Sequence, residues 1–239
     1  MFEKNSEMYM DSNETAAARY AVSSILKNAY LWMTMALLIS GFTAMLVAGN
    51  AELVHSIFAV RGTLIVLLLT QFGLIWVISS RIGRMSFVSA TLLFLLYSVL
   101  TGVTLSSIFL LFTAESLSTV FFITSGTFAV VSIYGFATKK DLSSWGSYLL
   151  MGVIGLIIAS IVNWLLKSEL MYWIVSYVGV AIFVGLTAYD TQKIKQLANA
   201  CYMEDDETQN KVALMGAITL YLDFINLFLY ILRIFGKRK

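Results

Sequence analysis

The hydrophobic residues of this chain fall into seven long runs separated by polar connections. A membrane-spanning helix needs about 20 predominantly apolar residues, and each run is close to that length. Because the runs are continuously apolar rather than alternating, they predict helices and not strands. The predicted spans are 29–49, 62–80, 87–113, 118–138, 147–166, 170–190 and 212–235. The pattern therefore predicts an all-α polytopic membrane protein with seven helices.

The same pattern divides the chain into a polar N-terminal tail, residues 1–28, and a single transmembrane domain, residues 29–236. The tail lacks the basic start and short apolar core of a cleaved signal peptide, so we expect the first span to direct membrane insertion. The connections are short except for 191–211, whose acidic run Glu204–Glu207 we interpret as a solvated loop rather than a cation site.

The last apolar run is the most polar of the seven, because it contains Asp223 and Asn226. Two interpretations stay open at this point. The run is either a true seventh crossing or a re-entrant segment buried in the bundle.

Composition supports the membrane class and excludes several others. The chain is 59% hydrophobic and 13% charged, with a mean hydropathy of +0.82, whereas about a quarter of the residues of a soluble domain are charged. The net charge of +2 is too small to indicate a nucleic-acid partner. Cys201 is the only cysteine and His55 the only histidine, which excludes an intrachain disulfide and a histidine-cluster metal site.

The distribution of lysine and arginine predicts the orientation of the chain. The N-terminal tail and the second, fourth and sixth connections contain ten of these residues, against two in the first, third and fifth connections. The N-terminus is therefore predicted to be cytosolic. The four basic residues that follow the last span would favour the cytosol too, which conflicts with a complete seventh crossing.

Two aspartates are out of place in this pattern. Asp190 lies at the end of the sixth span and Asp223 lies inside the seventh, whereas the other twelve acidic residues occupy tails, connections or helix ends. A carboxylate at mid-bilayer costs about 2.5–3.5 kcal/mol on insertion scales, so such residues are usually paired or functional. Asp190 alone is explained as well by a helix boundary. Asp223 lies roughly 17 Å into its span, and its alternative is a neutral, hydrogen-bonded core aspartic acid.

If the sixth and seventh spans pack antiparallel, Asp190 and Asp223 can meet. Two carboxylates a few ångströms apart in a low dielectric cannot both ionise, so the pair would share one proton. Loss of that proton would change attraction into repulsion. Such a pair can gate a pathway in response to pH.

Several segments resemble one known family. The segments "GLTAYDTQKIK" (185–195) and "LYLDFINLFLYILRIFG" (220–236) are similar to the C-terminal signature of the transmembrane Bax-inhibitor-motif family, bacterial branch. Residues 101–109 and 139–149 also resemble family segments. The resemblance covers most of the chain from about residue 20 onward. It implies a seven-helix bundle with the C-terminal helix central, acting as a pH-sensitive calcium leak.

The resemblance also implies roles for individual residues. Asp190 and Asp223 would form the pH sensor and could contact calcium, and an arginine at the cytosolic end of the second helix would hold the closed state. Arg84 is the best match and Arg81 lies one helical turn earlier, although ordinary positive-inside anchoring explains both equally well. Some bacterial relatives have an acid in the second helix, where this chain has Gln71-Phe72-Gly73.

Other functions can be compared on the same residues. An intramembrane aspartyl protease would use Tyr189-Asp190, but such enzymes have Gly-x-Gly-Asp at the second site, where this chain has Leu220–Asp223, and they need a proline motif. A proton-coupled transporter would use the carboxylates as a relay, yet no internal repeat indicates one. A scaffold without transport is a further alternative.

The sequence therefore predicts a pH-sensitive passive calcium leak channel rather than an enzyme. We expect no cofactor, with calcium as the transported ion and the lipid bilayer, calcium and protons as partners. We expect no nucleic acid. The predicted location is the bacterial inner membrane, with a cytosolic N-terminus.

Overall fold

The computed structural model describes the backbone of residues 2–59 and 62–239 and the side chains of residues 18–59 and 62–239. Over these residues the chain is helical, and no strand is formed, apart from one isolated bridge between Phe112 and Arg238. The helices are α1 (Phe2–Ala48), α2 (Ala51–Phe58), α3 (Thr63–Arg81), α4 (Phe87–Leu111), α5 (Ala114–Ala137), α6 (Trp145–Leu166), α7 (Glu169–Ala200) and α8 (Asp206–Phe235). All but α2 are long and apolar enough to cross a membrane within the described part. The predicted all-α polytopic class is confirmed.

Short polar side chains set where four of the long helices begin. Each accepts a hydrogen bond from a main-chain N–H three residues later, which satisfies one of the free donors of the first turn. Ser86 caps α4, Thr113 caps α5, Ser168 caps α7 and Asp205 caps α8, with N···O distances of 3.0–3.3 Å. These caps allow connections of very few residues, so consecutive spans lie side by side.

The helices extend beyond several predicted boundaries. Residues 191–211 were expected to form a long loop, but α7 continues to Ala200 and α8 begins at Asp206, which leaves a link of residues 201–205. The helix persists because Ile194 and Ala198 remain buried and continue the apolar face of α7. Packing of these apolar side chains against neighbouring helices therefore keeps the segment helical despite its polar composition.

The N-terminal boundary differs as well. The first candidate span is Ala18–Ala48, so part of the expected tail, 1–28, is already helical. The side chains of residues 1–17 lie outside the described part, as does Arg61, which was counted in the first connection. His55, the only histidine, lies in the short helix α2.

The last run forms one continuous helix, α8, rather than a broken re-entrant segment. Its tail returns to the link between α4 and α5: the Thr113 N–H donates to the Lys237 carbonyl (3.2 Å), and the Lys237 N–H donates to the Ser116 hydroxyl (2.9 Å). The C-terminus therefore lies at the α4–α5 end of the bundle, opposite the α7–α8 link. The basic tail is placed there by main-chain contacts.

The α8 helix is the most buried of the described spans. In its apolar window 56% of residues are buried, against at most 39% in any other span, and α8 packs against α1, α4, α5 and α7. Aromatic contacts join it to α5 through Phe224, which lies edge-on to Phe121 and Phe128. This degree of burial explains why polar residues on α8 face protein rather than lipid. The central position of α8 itself stays a prediction.

Candidate functional site

The antiparallel packing of α7 on α8 sets which of their residues face each other. Near the α7–α8 link, a Cβ added at Gly216 would lie 3.1 Å from the Ile194 side chain. Near the other end, the Phe183 ring stacks on the Tyr230 ring with centroids 5.7 Å apart. Between these two contacts the register places Asp190 opposite Asp223.

The structure brings the two aspartates into contact. Their carboxyl groups are close enough for a side-chain hydrogen bond, and both residues are buried, with 7% of Asp190 and 4% of Asp223 exposed. Both lie well inside their helices, so Asp190 does not mark a helix end as one interpretation allowed. A hydrogen bond between two carboxyl groups requires one of them to be protonated, because ionised carboxylates can only accept.

One oxygen of the pair is left without a partner. Asp223 Oδ2 is buried and, apart from the neighbouring Asp190 carboxyl, has no hydrogen-bond partner within the described part of the chain; the only other unbonded buried side-chain atom there is the Ser132 hydroxyl of α5. Buried polar groups are nearly always satisfied, and exceptions are frequent at functional sites. The carboxyl pair is therefore incompletely stabilised by the fold around it.

Two threonines and one lysine lie near Asp190 along α7. Thr187 and Thr191 of α7 are fully buried, and the Thr191 hydroxyl lies 3.3 Å from the Tyr30 hydroxyl of α1. Lys193 is the basic residue whose charge acts on Asp190, and its ammonium group lies 5.7 Å from the centre of the Tyr189 ring. A cation one turn from Asp190 favours placing the negative charge of the pair on Asp190 and the proton on Asp223.

The link between α5 and α6 is fastened to α7 immediately beside the pair. Gln192 donates to the Lys140 carbonyl (2.9 Å) and accepts from the Leu142 N–H (2.8 Å). The Lys195 ammonium donates to the Phe136 carbonyl at 2.8 Å. These three bonds hold the adjoining turn of α7 against the end of α5, so the helix carrying Asp190 is anchored on the side of the α7–α8 link.

The two arginines implied by the resemblance lie elsewhere. Arg81 ends α3 and Arg84 follows it, and both side chains are exposed. Within residues 18–59 and 62–239 neither forms an ion pair with an aspartate. Lys193 is the cation beside the pair instead. Sequence reasoning overlooked it, although its spacing of three residues from Asp190 on one helix was a usable signal.

The pair is not a metal cage. The described residues contain no cluster of three or more His, Cys, Asp or Glu side chains able to hold a metal ion, and calcium takes six to eight oxygen ligands. Two carboxyl groups can give a passing cation a brief contact. The arrangement can hold or release a proton, and on release the two charges would repel.

Comparisons with known proteins identify the family of this chain. Residues 22–239 match the family model described as inhibitor of apoptosis-promoting Bax1. The inner membrane protein YbhL of Escherichia coli strain K12 is 46% identical over 228 residues, which is 95% of this chain and 97% of that protein. A protein of Borreliella burgdorferi is 44% identical (90% of this chain, 94% of its own length), and one of Rickettsia prowazekii is 42% identical (88% of each).

Proposed function

This chain belongs to the family of inhibitors of apoptosis-promoting Bax1, and from that premise we propose that it is a pH-sensitive passive calcium leak of the bacterial inner membrane. The observation that supports the proposal best is the contact between Asp190 and Asp223 inside the bundle, with Asp223 Oδ2 unpartnered. The similarity to an inner membrane protein of Escherichia coli supports the location.

In the closed state the pair holds one proton. The proton lies on Asp223, the more buried carboxyl, and the charge lies on Asp190 near Lys193. The hydrogen bond between the carboxyl groups keeps α7 and α8 together. Gln192 and Lys195 hold the same part of α7 against α5, so the closed state needs no further ion pair.

Rising pH removes the proton and opens the pathway. Two unit charges about 4 Å apart repel by about 4 kcal/mol at an effective dielectric constant of 20, enough to change a two-state equilibrium roughly a thousandfold. The helices α7 and α8 then separate at this level, and water and cations enter between them. Calcium moves down its gradient past the ionised carboxylates, and the pair itself transfers only protons.

The arginine latch is a separate proposal. For Arg84 or Arg81 to contact the pair, the end of α3 must move towards α7, because both side chains are exposed here. Removing the charge of either arginine would then shift the equilibrium between the closed and open states, while the aspartate pair that titrates stays intact. The pH dependence would persist with a shifted midpoint.

Calcium flux into reconstituted vesicles, measured against pH, tests the proposal. The variants are Asp223→Asn, Asp190→Asn and the double change, each of which removes the charge with little change in size. Asp141→Asn is the matched control, because Asp141 is an exposed carboxyl of the α5–α6 link that bonds only to Ser143. We expect Asp223→Asn to abolish the pH dependence, Asp190→Asn to alter the same titration, and the control to retain the wild-type profile.

The double variant distinguishes a coupled pair from two independent groups. If the carboxyl groups share a proton, the effects of the two single changes will be non-additive. Additive effects would indicate two separate sites, and a wild-type pH profile in Asp223→Asn would remove this residue from the gate. An absence of calcium flux in the wild type at every pH would refute the leak itself.

A further inference from the structure

A second charged site lies at the opposite end of the bundle from the α7–α8 link. A cavity of about 470 Å³ opens between the α6–α7 link and the end of α8, and three basic residues line it: Lys167, Arg233 and Arg238. Glu169 is the one acidic residue in its wall. From this geometry we infer that the cavity binds the phosphate group of an anionic phospholipid.

Local structure holds the three basic residues around the cavity. Lys167 ends α6 in a left-handed conformation (φ 52°), with its N–H bonded to the Asn163 carbonyl at 2.7 Å. Arg233 is in the last turn of α8, and its carbonyl accepts from the Tyr172 hydroxyl at 3.3 Å. Arg238 is fixed by its bridge to Phe112. Three separate segments thus converge on one cavity.

These positive charges form no ion pair within the described residues, although the Arg233 guanidinium lies 5.2 Å from the centre of the Tyr230 ring. The only ion pair among residues 18–59 and 62–239 joins Lys211 to Glu207, so Lys167, Arg233 and Arg238 make none there. Like charges gathered in one place repel unless an anion lies between them. Arginine and lysine bind phosphate oxygens through short, charge-assisted hydrogen bonds, and the cavity is larger than one phosphate group.

The surface beside the cavity favours a lipid over free phosphate. Large apolar side chains next to it are exposed, including Trp164 (77%), Leu170 (72%) and Phe235 (62%). Trp173 lines the cavity itself and stacks on Tyr177 with ring centroids 6.0 Å apart. Tryptophan and tyrosine are enriched at the level of lipid head groups. A phospholipid could place its phosphate in the cavity and its acyl chains on this apolar surface.

The site also accounts for basic residues that the sequence left in conflict with the orientation rule. Lysine and arginine are expected on the cytosolic side, yet the tail after α8 lies at the other end of the bundle. Arg233 and Arg238 are exposed there, and both line the cavity. Their retention at this end is explained if each contributes to binding an anionic head group.

Native mass spectrometry of the full-length chain in detergent tests the inference. Phosphatidylglycerol and phosphatidylcholine are added separately, because both carry a phosphate and only the first is anionic. The variant Arg233→Gln/Arg238→Gln removes two charges from the cavity. The control Lys237→Gln/Lys239→Gln removes two charges from the same tail at residues that do not line the cavity. The charge-preserving variant Arg233→Lys/Arg238→Lys separates loss of charge from misfolding.

We expect the wild type to retain phosphatidylglycerol at least about tenfold more tightly than phosphatidylcholine, because the positively charged choline group of the second lipid is repelled by the basic residues of the cavity. The glutamine variant should lose this preference, and the control and lysine variants should retain it. Equal retention of the two lipids by the wild type, or an unchanged preference in the glutamine variant, would overturn the inference. Displacement of the lipid by inorganic phosphate alone would show a soluble anion site instead.

Discussion

Two buried polar clusters lie on opposite faces of α8, and the fold satisfies them very differently. Tyr221 faces α1 and α4, where its hydroxyl lies 2.7 Å from the Ser40 hydroxyl. Asp223, two residues later, faces α7 and Asp190. Both residues are nearly inaccessible to solvent, with 0% and 4% exposed, yet only Asp223 keeps an unpartnered oxygen.

The cluster around Tyr221 is a closed network of neutral groups. Ser40 donates to the Ser98 carbonyl (2.7 Å), so the Tyr221 hydroxyl is the donor to Ser40. A separate neutral contact joins α3 to α4, where the Gln71 amide donates to the Thr104 hydroxyl at 2.6 Å. The Tyr221 ring also packs edge-on against neighbouring aromatic rings of α4. Neutral hydroxyl and amide groups with good partners need no proton exchange to stay buried.

The difference shows how a membrane bundle separates structural from titratable polar groups. The hydroxyl network contributes stability and has one protonation state at physiological pH. On the proposal made above, the carboxyl pair is satisfied only while it holds a proton, so its stability would depend on pH. The Gln71 amide belongs to the first class, because it is bonded to the hydroxyl groups of α4. A carboxyl group at position 71 would be either a buried charge or a protonated acid, and so would be titratable.

The strongest test of this contrast removes the pair altogether. We expect Asp190→Leu/Asp223→Leu to keep the fold and to raise its unfolding free energy by about 1–3 kcal/mol, because buried charged groups are often replaceable by apolar ones with a gain in stability. Calcium flux should lose its pH dependence. Unfolding in detergent and vesicle flux measure the two effects. A marked loss of stability would mean that the pair is structural, like the hydroxyl network.

The second-largest effect is expected from a change in the packing of α5 against α7 beside the aspartate pair. A Cβ at Gly135 would meet the main chain of Ala188, two residues before Asp190, so Gly135→Leu must push α5 away from α7. We expect a loss of about 1–3 kcal/mol in stability and a weaker pH dependence of flux. Gly126→Leu on the same helix has no atom within 4 Å of its Cβ and serves as the control. Equal effects of the two changes would show that this contact does not position the pair.

The hydroxyl network should give the opposite result to the pair. Tyr221→Phe removes the hydrogen bond to Ser40 and leaves the ring in place, so we expect a loss of about 1 kcal/mol in unfolding free energy. The pH profile of calcium flux should not change. If the profile flattened, the two faces of α8 would be one coupled system and the contrast would fail.

The smallest effect is expected at an exposed carboxyl outside the membrane. Hydrogen bonds from Thr208 lower the pKa of Asp205, the cap of α8. Its contribution to the first turn is therefore present above the ordinary aspartate pKa and is lost as pH falls through the lowered value. The protection factors for amide hydrogen exchange at residues 206–208 should fall at low pH in the wild type but not in Asp205→Asn. Flux should be the same in both proteins.

Some of this could be predicted because burial in lipid leaves a clear signal. Asp223 stands alone in an apolar run, so the sequence by itself marks it as a candidate site residue. Asp190 was ambiguous, since the apolar run ends there while the helix continues to Ala200. The helix extends past the predicted end at residue 190 because Ile194 and Ala198 are buried. Burial of that kind depends on the neighbouring helix.

The parts that sequence reasoning overlooked are contacts between distant segments. Lys193 replaces an arginine as the cation beside the pair, and Gln192 bonds to the α5–α6 link. Both are ordinary polar residues just beyond the apolar run, where solvent exposure is the usual outcome. Lys193 is indeed exposed, whereas the packing of α7 against the α5–α6 link buries Gln192.

The order of residues alone was sufficient to establish seven apolar helices and to mark two aspartates. Hydrocarbon cannot solvate main-chain groups, so each apolar run must satisfy its own main-chain hydrogen bonds as a helix. It cannot solvate carboxyl groups either, so an aspartate in such a run stands out. The register between α7 and α8 was decided by side-chain packing, including Phe183 on Tyr230. That register brings the carboxyl groups together, and the path of the tail gathers three basic residues into one cavity. Such distances depend on how whole helices fit against each other, which no local pattern encodes.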